Sequence, residues 1–265
     1  MRKKIVVFSV WIVLIILLIV LVVIFNKRNS NTKCSKVDIA ISYMDDSYFL
    51  IVDDIQKLIN KKGDSLVGKP LSKINLLDIE KNILKSPFVK KADVYATVDG
   101  VIKITIVQRK PIARVMNKYD QSFYIDSEGK LMPICEGRPA RVLIADGEIR
   151  EIFTSNTNLL QDSISKPDSV NQKSALYKSF MIARYIDADQ FWKAQISEIY
   201  FNENGDIELL PLLGENKIIF GDFEFISEKF ENLKTFYEKE LSKVGWNKYK
   251  TINIKFKNQI VCSKK

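Results

Sequence analysis

The sequence predicts an α+β protein: a single N-terminal transmembrane helix, a small strand-helix-helix-strand-strand module, and a β-rich C-terminal domain with flanking helices. Three observations predict it. Ile5–Phe25 is an uncharged apolar run broken only by Ser9. Between Val37 and Val107 the apolar period passes from about 2 to about 3.6 residues and back. Beyond Pro111, short alternating runs separated by Gly, Asn and Asp take over.

A helix over Ile5–Phe25 reaches ~30 Å, about one hydrocarbon core, and pairs its backbone groups internally. The run is longer than a signal-peptide core, and Asn26–Ser30 offers no small-residue cleavage site, so an uncleaved anchor is expected. Residues 1–4 are then a short head and residues 26–35 a polar linker. Arg2, Lys3 and Lys4 precede the span, while Lys27, Arg28 and Lys33 follow it. The balance leans only slightly towards a cytoplasmic N-terminus.

The small module is expected over residues 36–110. Val37–Tyr43 alternates as a strand. Asp53–Lys62 carries Ile55, Leu58 and Ile59 at helical spacing, with Gly63 at the stop. Asn75 suits a second N-cap with Asp78 in a capping-box role, and Leu76, Ile79 and Ile83 form the stripe. Pro87 ends that helix, because the residue before proline avoids the helical region. Ala92–Val98 and Ile102–Ile106 then alternate around Asp99-Gly100, a hairpin turn.

Residues 111–265 are expected to form the second domain. Its strands are Ile112–Met116, Ser122–Ile125, Lys130–Pro133 and Arg141–Ile144. Glu151–Asn171 reads as a surface loop, and 173–187 as a helix burying Leu176, Phe180 and Ala183. Ile196–Phe201 and Asp206–Leu210 flank the turn Asn204-Gly205, and Lys217–Phe220 follows as a strand. Ile226, Phe230, Leu233, Tyr237 and Leu241 mark one face of a long amphipathic helix. The chain closes on Thr251–Phe256 and Gln259–Cys262, read as one alternating strand bulged at Lys257-Asn258.

Composition removes several classes of chemistry. The net charge is +9, but the lysines are scattered over expected strands instead of clustering with stacking aromatics, so a solvated face is expected and a nucleic-acid site is not. There is no histidine, which excludes Ser-His-Asp and Cys-His catalysis and most zinc sites. Cys34, Cys135 and Cys262 are odd in number and widely spaced. They define no disulfide framework, and their redox state stays open.

S-x-x-K occurs at Ser30/Lys33, Ser127/Lys130 and Ser163/Lys166, but its S-D-N and K-T-G partners are missing. Dinucleotide, P-loop and EF-hand signatures are missing too. The acidic residues that can be placed sit at turns or helix starts. No catalytic residue, cofactor or metal is therefore assigned, and binding through a surface or a sheet edge becomes the default. The terminal strand is a candidate edge, and alternation alone fits a paired core strand equally well.

The same residues resemble a known family. Leu76-x-x-Ile79-Glu80 with Pro87-x-Val89-x-x-Ala92-x-Val94 is similar to a POTRA domain. Gln108-Arg109-Lys110-Pro111-Ile112-Ala113 resembles an E-R-x-P-x-A junction, with Gln108 in place of Glu. Ile125-Asp126-Ser127-Glu128-Gly129 looks like a V-D-x-x-G hairpin. Ile218–Gly221, Glu228–Leu233 and Ile252–Val261 resemble the close of FtsQ/DivIB cell-division proteins, in the style of Bacteroidetes-type members.

The resemblance implies a non-enzymatic divisome scaffold in the cell inner membrane, single-pass, with its N-terminus cytoplasmic and its bulk periplasmic at the septum. It implies FtsB- and FtsL-like partners, the first bound by strand addition along Phe256, Asn258, Gln259, Ile260 and Val261. A helix carrying Phe230, Leu233 and Tyr237 would stand behind that strip. Phe256 is either the anchor of the contact or a plain core residue. The alternatives are a POTRA-bearing secretion or outer-membrane assembly component, and a membrane-anchored wall hydrolase or transferase.

Overall fold

The computed structural model describes residues 11–20, 32–60, 65–155, 157–165 and 174–265. Residues 11–20 are helical with exposed apolar side chains from Trp11 to Val20. The remainder of the expected span, the head 1–4 and most of the linker lie outside the described residues. Among the described residues no helix is long and apolar enough to cross a membrane.

The folded chain divides into two compact units. The first contains β1 (Lys36–Ser42), α1 (Val52–Ile59), α2 (Leu76–Leu84), β2 (Val89–Ala96) and β3 (Val101–Gln108). Its sheet has the order β1-β3-β2, with β1 parallel to β3 and β2 antiparallel to it. Ile102, Ile104 and Ile106 of β3 are buried with Ile55 of α1 and Ile79 and Ile83 of α2. The alternation of β3 therefore sets which sheet face the helices cover.

The caps follow the sequence logic. Asn75 Oδ1 accepts from Asp78 N–H at 3.2 Å, and its amide donates to the Asp78 carboxylate at 2.7 Å. Helix α1 starts one residue before the expected Asp53, because Asp54 accepts from Ile51 N–H at 3.2 Å and closes the first turn. The expected stop at Gly63 lies outside the described residues. Gln108 is buried in this unit, and its side-chain oxygen accepts from Leu50 N–H at 3.0 Å.

The second unit takes Arg109–Lys265 together with Tyr43–Phe49, a segment that interrupts the first unit between β1 and α1. Phe49 is buried there beside Tyr124, their rings 5.4 Å apart, and its carbonyl accepts from Arg138 at 3.0 Å. Nine strands form one sheet. They are β4 (Pro111–Met116), β5 (Ser122–Asp126), β6 (Leu131–Pro133), β7 (Leu143–Gly147), β8 (Ile196–Phe201), β9 (Ile207–Pro211), β10 (Lys217–Gly221), β11 (Tyr249–Asn253) and β12 (Val261–Lys264). Their order is β12-β11-β10-β9-β8-β7-β4-β5-β6.

The helices of this unit are α3 (Leu159–Ser165), α4 (Ala175–Ala188), α5 (Gln190–Gln195), α6 (Ile226–Phe236) and the short α7 (Ser242–Val244). Between α6 and α7, Tyr237–Leu241 forms a π-helical turn. Phe180, Ile182 and Ala183 of α4 and Phe230 and Leu233 of α6 are buried in the same core as the sheet residues Val115, Ile199, Leu209 and Phe220.

Three expectations are corrected here. Glu151–Asn171 is not wholly loop: α3 occupies part of it, and Leu159 is buried. The strand expected at Arg141–Ile144 sits at β7, because Gly147 ends it with φ +96° where a Cβ would strike the Phe201 backbone. The closing segment is not one bulged strand. It is two antiparallel strands, β11 and β12, and the chain reverses between them with Asn258 at φ +60°. Asparagine tolerates that left-handed conformation better than most residues.

Candidate partner-binding edge

The reversal puts β12 at the end of the sheet. It pairs with β11 through Asn253–Val261, Ile252–Cys262 and Thr251–Ser263, and on its other side it pairs with no strand among the described residues. The direction of its main-chain groups follows from one hydrogen bond. Ile254 N–H donates to the Ile219 carbonyl of β10 at 3.0 Å. N–H and C=O of one strand residue point the same way and alternate along the strand, so Ile252 also faces β10 while Thr251 and Asn253 face β12. Val261 and Ser263 therefore turn their main-chain groups towards β11. Cys262 and Lys264 turn theirs outward, to the open edge.

The sequence-expected strip falls in two places. Val261 begins β12 and is exposed. Phe256, Asn258 and Gln259 lie in the reversal and are also exposed, and Ile260 is half-buried against the core. Phe256 is 50% exposed, which removes its reading as a core residue. The three helix residues Phe230, Leu233 and Tyr237 are buried together in the core that also takes in Phe220, Ile252 and Ile254 of the terminal strands.

A run of aromatic contacts packs this support. Phe230 lies 4.5 Å from Tyr185, 5.0 Å from Trp192 and 5.4 Å from Phe220, centroid to centroid. Tyr237 continues the stack to Trp246 at 5.3 Å. Stacked, tilted and edge-on rings at such distances add about 0.5–1.5 kcal/mol per pair beyond area burial. Burial drives the Tyr237 hydroxyl well above the ordinary phenol range, so it stays neutral. Burial likewise raises the Cys262 thiol, which makes it a packing group and a poor nucleophile.

Charge borders the strip. Lys255 donates to the Asp206 carboxylate at 2.8 Å, and that contact raises its pKa. Lys229 is nearly buried, 4.8 Å from the Phe220 centroid, and pairs with Asp222. Partial burial pushes the Asp222 carboxyl up, but the hydrogen bond and charge of Lys229 outweigh it and hold the group below its usual range. Sequence reasoning missed one member of this surface. Phe225 precedes α6 in a left-handed conformation, is exposed, and has Lys257 Nζ 5.3 Å from its ring centroid. Phe225 and Phe256 line the same cavity of about 110 Å³. An aromatic just ahead of a helix start is the signal that could have flagged it.

Among the described residues no group of three or more His, Cys, Asp or Glu side chains could hold a metal ion. What the site offers is a short strand with outward main-chain groups, two exposed aromatic rings beside it, and a packed core behind.

Comparison with known proteins decides the affiliation. The model described as FtsQ/DivIB, C-terminal related, matches residues 110–263. The chain belongs to the FtsQ/DivIB family. A POTRA-like domain matches residues 32–107, the range that holds β1, α1, α2, β2 and all but the last residue of β3. The cell division protein FtsQ of Geotalea daltonii is 21% identical over 206 residues, covering 77% of this chain and 67% of that protein. FtsQ/DivIB proteins are non-enzymatic division proteins, and membership supports a scaffold role in cell division.

Proposed function

We propose that this chain is a single-pass inner-membrane scaffold of the divisome, with Ile5–Phe25 as its anchor, its N-terminus cytoplasmic and its two units in the periplasm at the division site. It captures an FtsB-like partner, itself paired with an FtsL-like one, by adding a strand from the partner to β12. One observation carries the reading: β12 is the terminal strand of a nine-stranded sheet, and Cys262 and Lys264 direct their main-chain groups away from β11. Strand addition draws affinity from main-chain bonds and selectivity from alternate side chains, here Val261 and the neighbouring Phe256 and Phe225. The apolar run and the family affiliation support the anchor and the location.

Co-purification of the detergent-solubilised full-length chain, beside a variant lacking Phe256–Lys265, tests it. Small single-span coiled-coil proteins should accompany the full chain and be lost from the truncation. Recovery of the same partners by the truncated chain would refute the edge, and partners from outer-membrane assembly would refute the divisome role.

A further inference from the structure

We propose that the β2–β3 hairpin end of the first unit is a lipid-contacting foot that rests on an anionic bilayer surface. The proposal rests on reading Ile5–Phe25 as the anchor, and it starts from where the chain enters the unit. Three segments are laced together there. Leu71 N–H donates to the Thr32 carbonyl at 2.9 Å, and Cys34 N–H donates to the Lys69 carbonyl at 2.8 Å. Gly68 N–H returns to the Cys34 carbonyl at 2.7 Å, and Ser35 N–H donates to the Gly100 carbonyl at 2.9 Å. Gly100 sits so close that any Cβ would strike the Lys33 carbonyl. The entry strand, the 66–70 turn and the hairpin tip therefore form one rigid end.

That end exposes apolar side chains with no packing role. Val98, at the hairpin tip, is 77% exposed, more than any other large hydrophobic among the described residues, and Val67 in the adjoining turn is 52% exposed. Scattered exposed valines need no explanation, but here two share the end at which the chain arrives. Lysines Lys33, Lys36 and Lys103 are exposed on the same end, with Lys36 beside Val101 and Lys103 two residues further along β3. The tip carboxylate, Asp99, accepts from Thr97 and is faced by Lys103, contacts that lower its pKa. Asp99 therefore stays ionised, and Lys36 is paired with Asp38 at 3.6 Å, so the three lysines outnumber these two carboxylates by one and the end keeps a small positive balance.

Chain length supplies the occupant. Six residues separate Phe25 from Thr32, so even a fully extended connection reaches at most ~25 Å beyond the apolar run. A unit entered through this end cannot withdraw it far from the headgroups. Basic residues within a Debye length of an anionic leaflet are drawn towards it. Val98 and Val67 are placed to dip into the interface, while the lysines meet the phosphates.

The full-length chain reconstituted into vesicles tests this. Phosphatidylcholine alone is compared with phosphatidylcholine containing phosphatidylglycerol. An environment-sensitive thiol dye is placed at Val98→Cys or, as a control, at Leu84→Cys, in a background with Cys135→Ser and Cys262→Ser. Leu84 ends α2, just before the start of β2, and so lies at the strand end opposite the hairpin turn. Brominated lipids should quench the dye at position 98 several-fold more than at position 84. The difference should grow with phosphatidylglycerol and shrink in a Lys33→Glu, Lys36→Glu background. Equal quenching at the two positions, in protein that floats with the vesicles, would overturn the foot and leave the anchor standing. Protein that fails to float with vesicles would overturn the anchor reading and the foot with it.

Discussion

At one end of the nine-stranded sheet β6 is covered by its own chain, and at the other end β12 pairs with no further strand among the described residues. Leu131 N–H donates to the Thr157 carbonyl at 3.2 Å, Leu159 N–H donates to the Gly129 carbonyl at 2.8 Å, and Lys130 bridges Asn158. Leu131 and Met132 are buried beneath that cover. On β12, by contrast, Val261, Ser263 and Lys264 are exposed. An uncovered edge is a template for further strands, and proteins ordinarily suppress it. The strand addition we propose therefore falls on β12, the end of the sheet that pairs with no further strand among the described residues. The open edge is short and ends in Lys264 and Lys265, which restrains pairing with arbitrary strands.

The comparison can be broken from either side. The largest effect is expected at Asp126, whose buried carboxylate accepts from Glu128 N–H at 2.9 Å, Lys130 N–H at 2.8 Å and Arg109 at 2.7 Å. It shapes the turn that delivers β6 to its cover. Asp126→Ala leaves the mostly buried Arg109 with only its longer contact to Glu128 at 3.6 Å and should cost about 3 kcal/mol in denaturant unfolding. Partner capture by β12 should survive at temperatures where the unit remains folded.

A smaller loss is expected from Leu159→Ala, which removes buried methyls from the covering segment and should cost about 2–3 kcal/mol. Amide exchange should accelerate at Leu131–Pro133 and stay unchanged at Val261–Lys264.

At the open edge the effects should fall on binding. Cys262→Pro removes one outward N–H and should weaken partner affinity about tenfold relative to Cys262→Ala, which loses the same packing thiol and keeps the donor. Ser263→Pro, one residue on, removes a donor facing β11 and should instead loosen β12 from the sheet. Equal behaviour of the two prolines would contradict the alternation derived from Ile254.

The smallest effect concerns pH. The Asp222 pKa is depressed in the folded state, so its contribution is complete above the ordinary carboxylate range and is lost as pH falls through the lower folded value. The carboxylate is 56% exposed, so solvent screening keeps the contribution below about 0.5 kcal/mol. Asp222→Asn should flatten the acid limb of the stability curve by that amount.

Much of this was legible in the sequence, and what escaped has physical reasons. The first unit follows directly from periodicity, the Asn75 cap and the Asp99-Gly100 turn, all local signals. The long helix was legible from Ile226 to Leu241, but its π turn was not, since one inserted residue barely disturbs an apolar stripe. Helix α5 escaped because its six residues give too short a period. Its signals are Asp189, which accepts from Phe191 N–H at 2.8 Å, and the buried Trp192. The excursion Tyr43–Phe49 escaped because its packing partners, Tyr124 and Arg138, are remote in sequence. At the candidate edge the alternation marks strand at Thr251–Asn253 and at Val261–Cys262, but the residues between them, expected as one strand bulged at Lys257-Asn258, turn the chain back. A bulge and a reversal share the same residue types, and only pairing partners separate them.

The most direct test of the open edge is amide hydrogen exchange on the full-length chain, alone and in the complex that co-purifies with it. Strand addition predicts that protection rises at Cys262 and Lys264 on complex formation, with Leu131–Pro133 unchanged because that edge is already covered. An intact complex in which the amides of Cys262 and Lys264 exchange as fast as in the free chain would contradict the account.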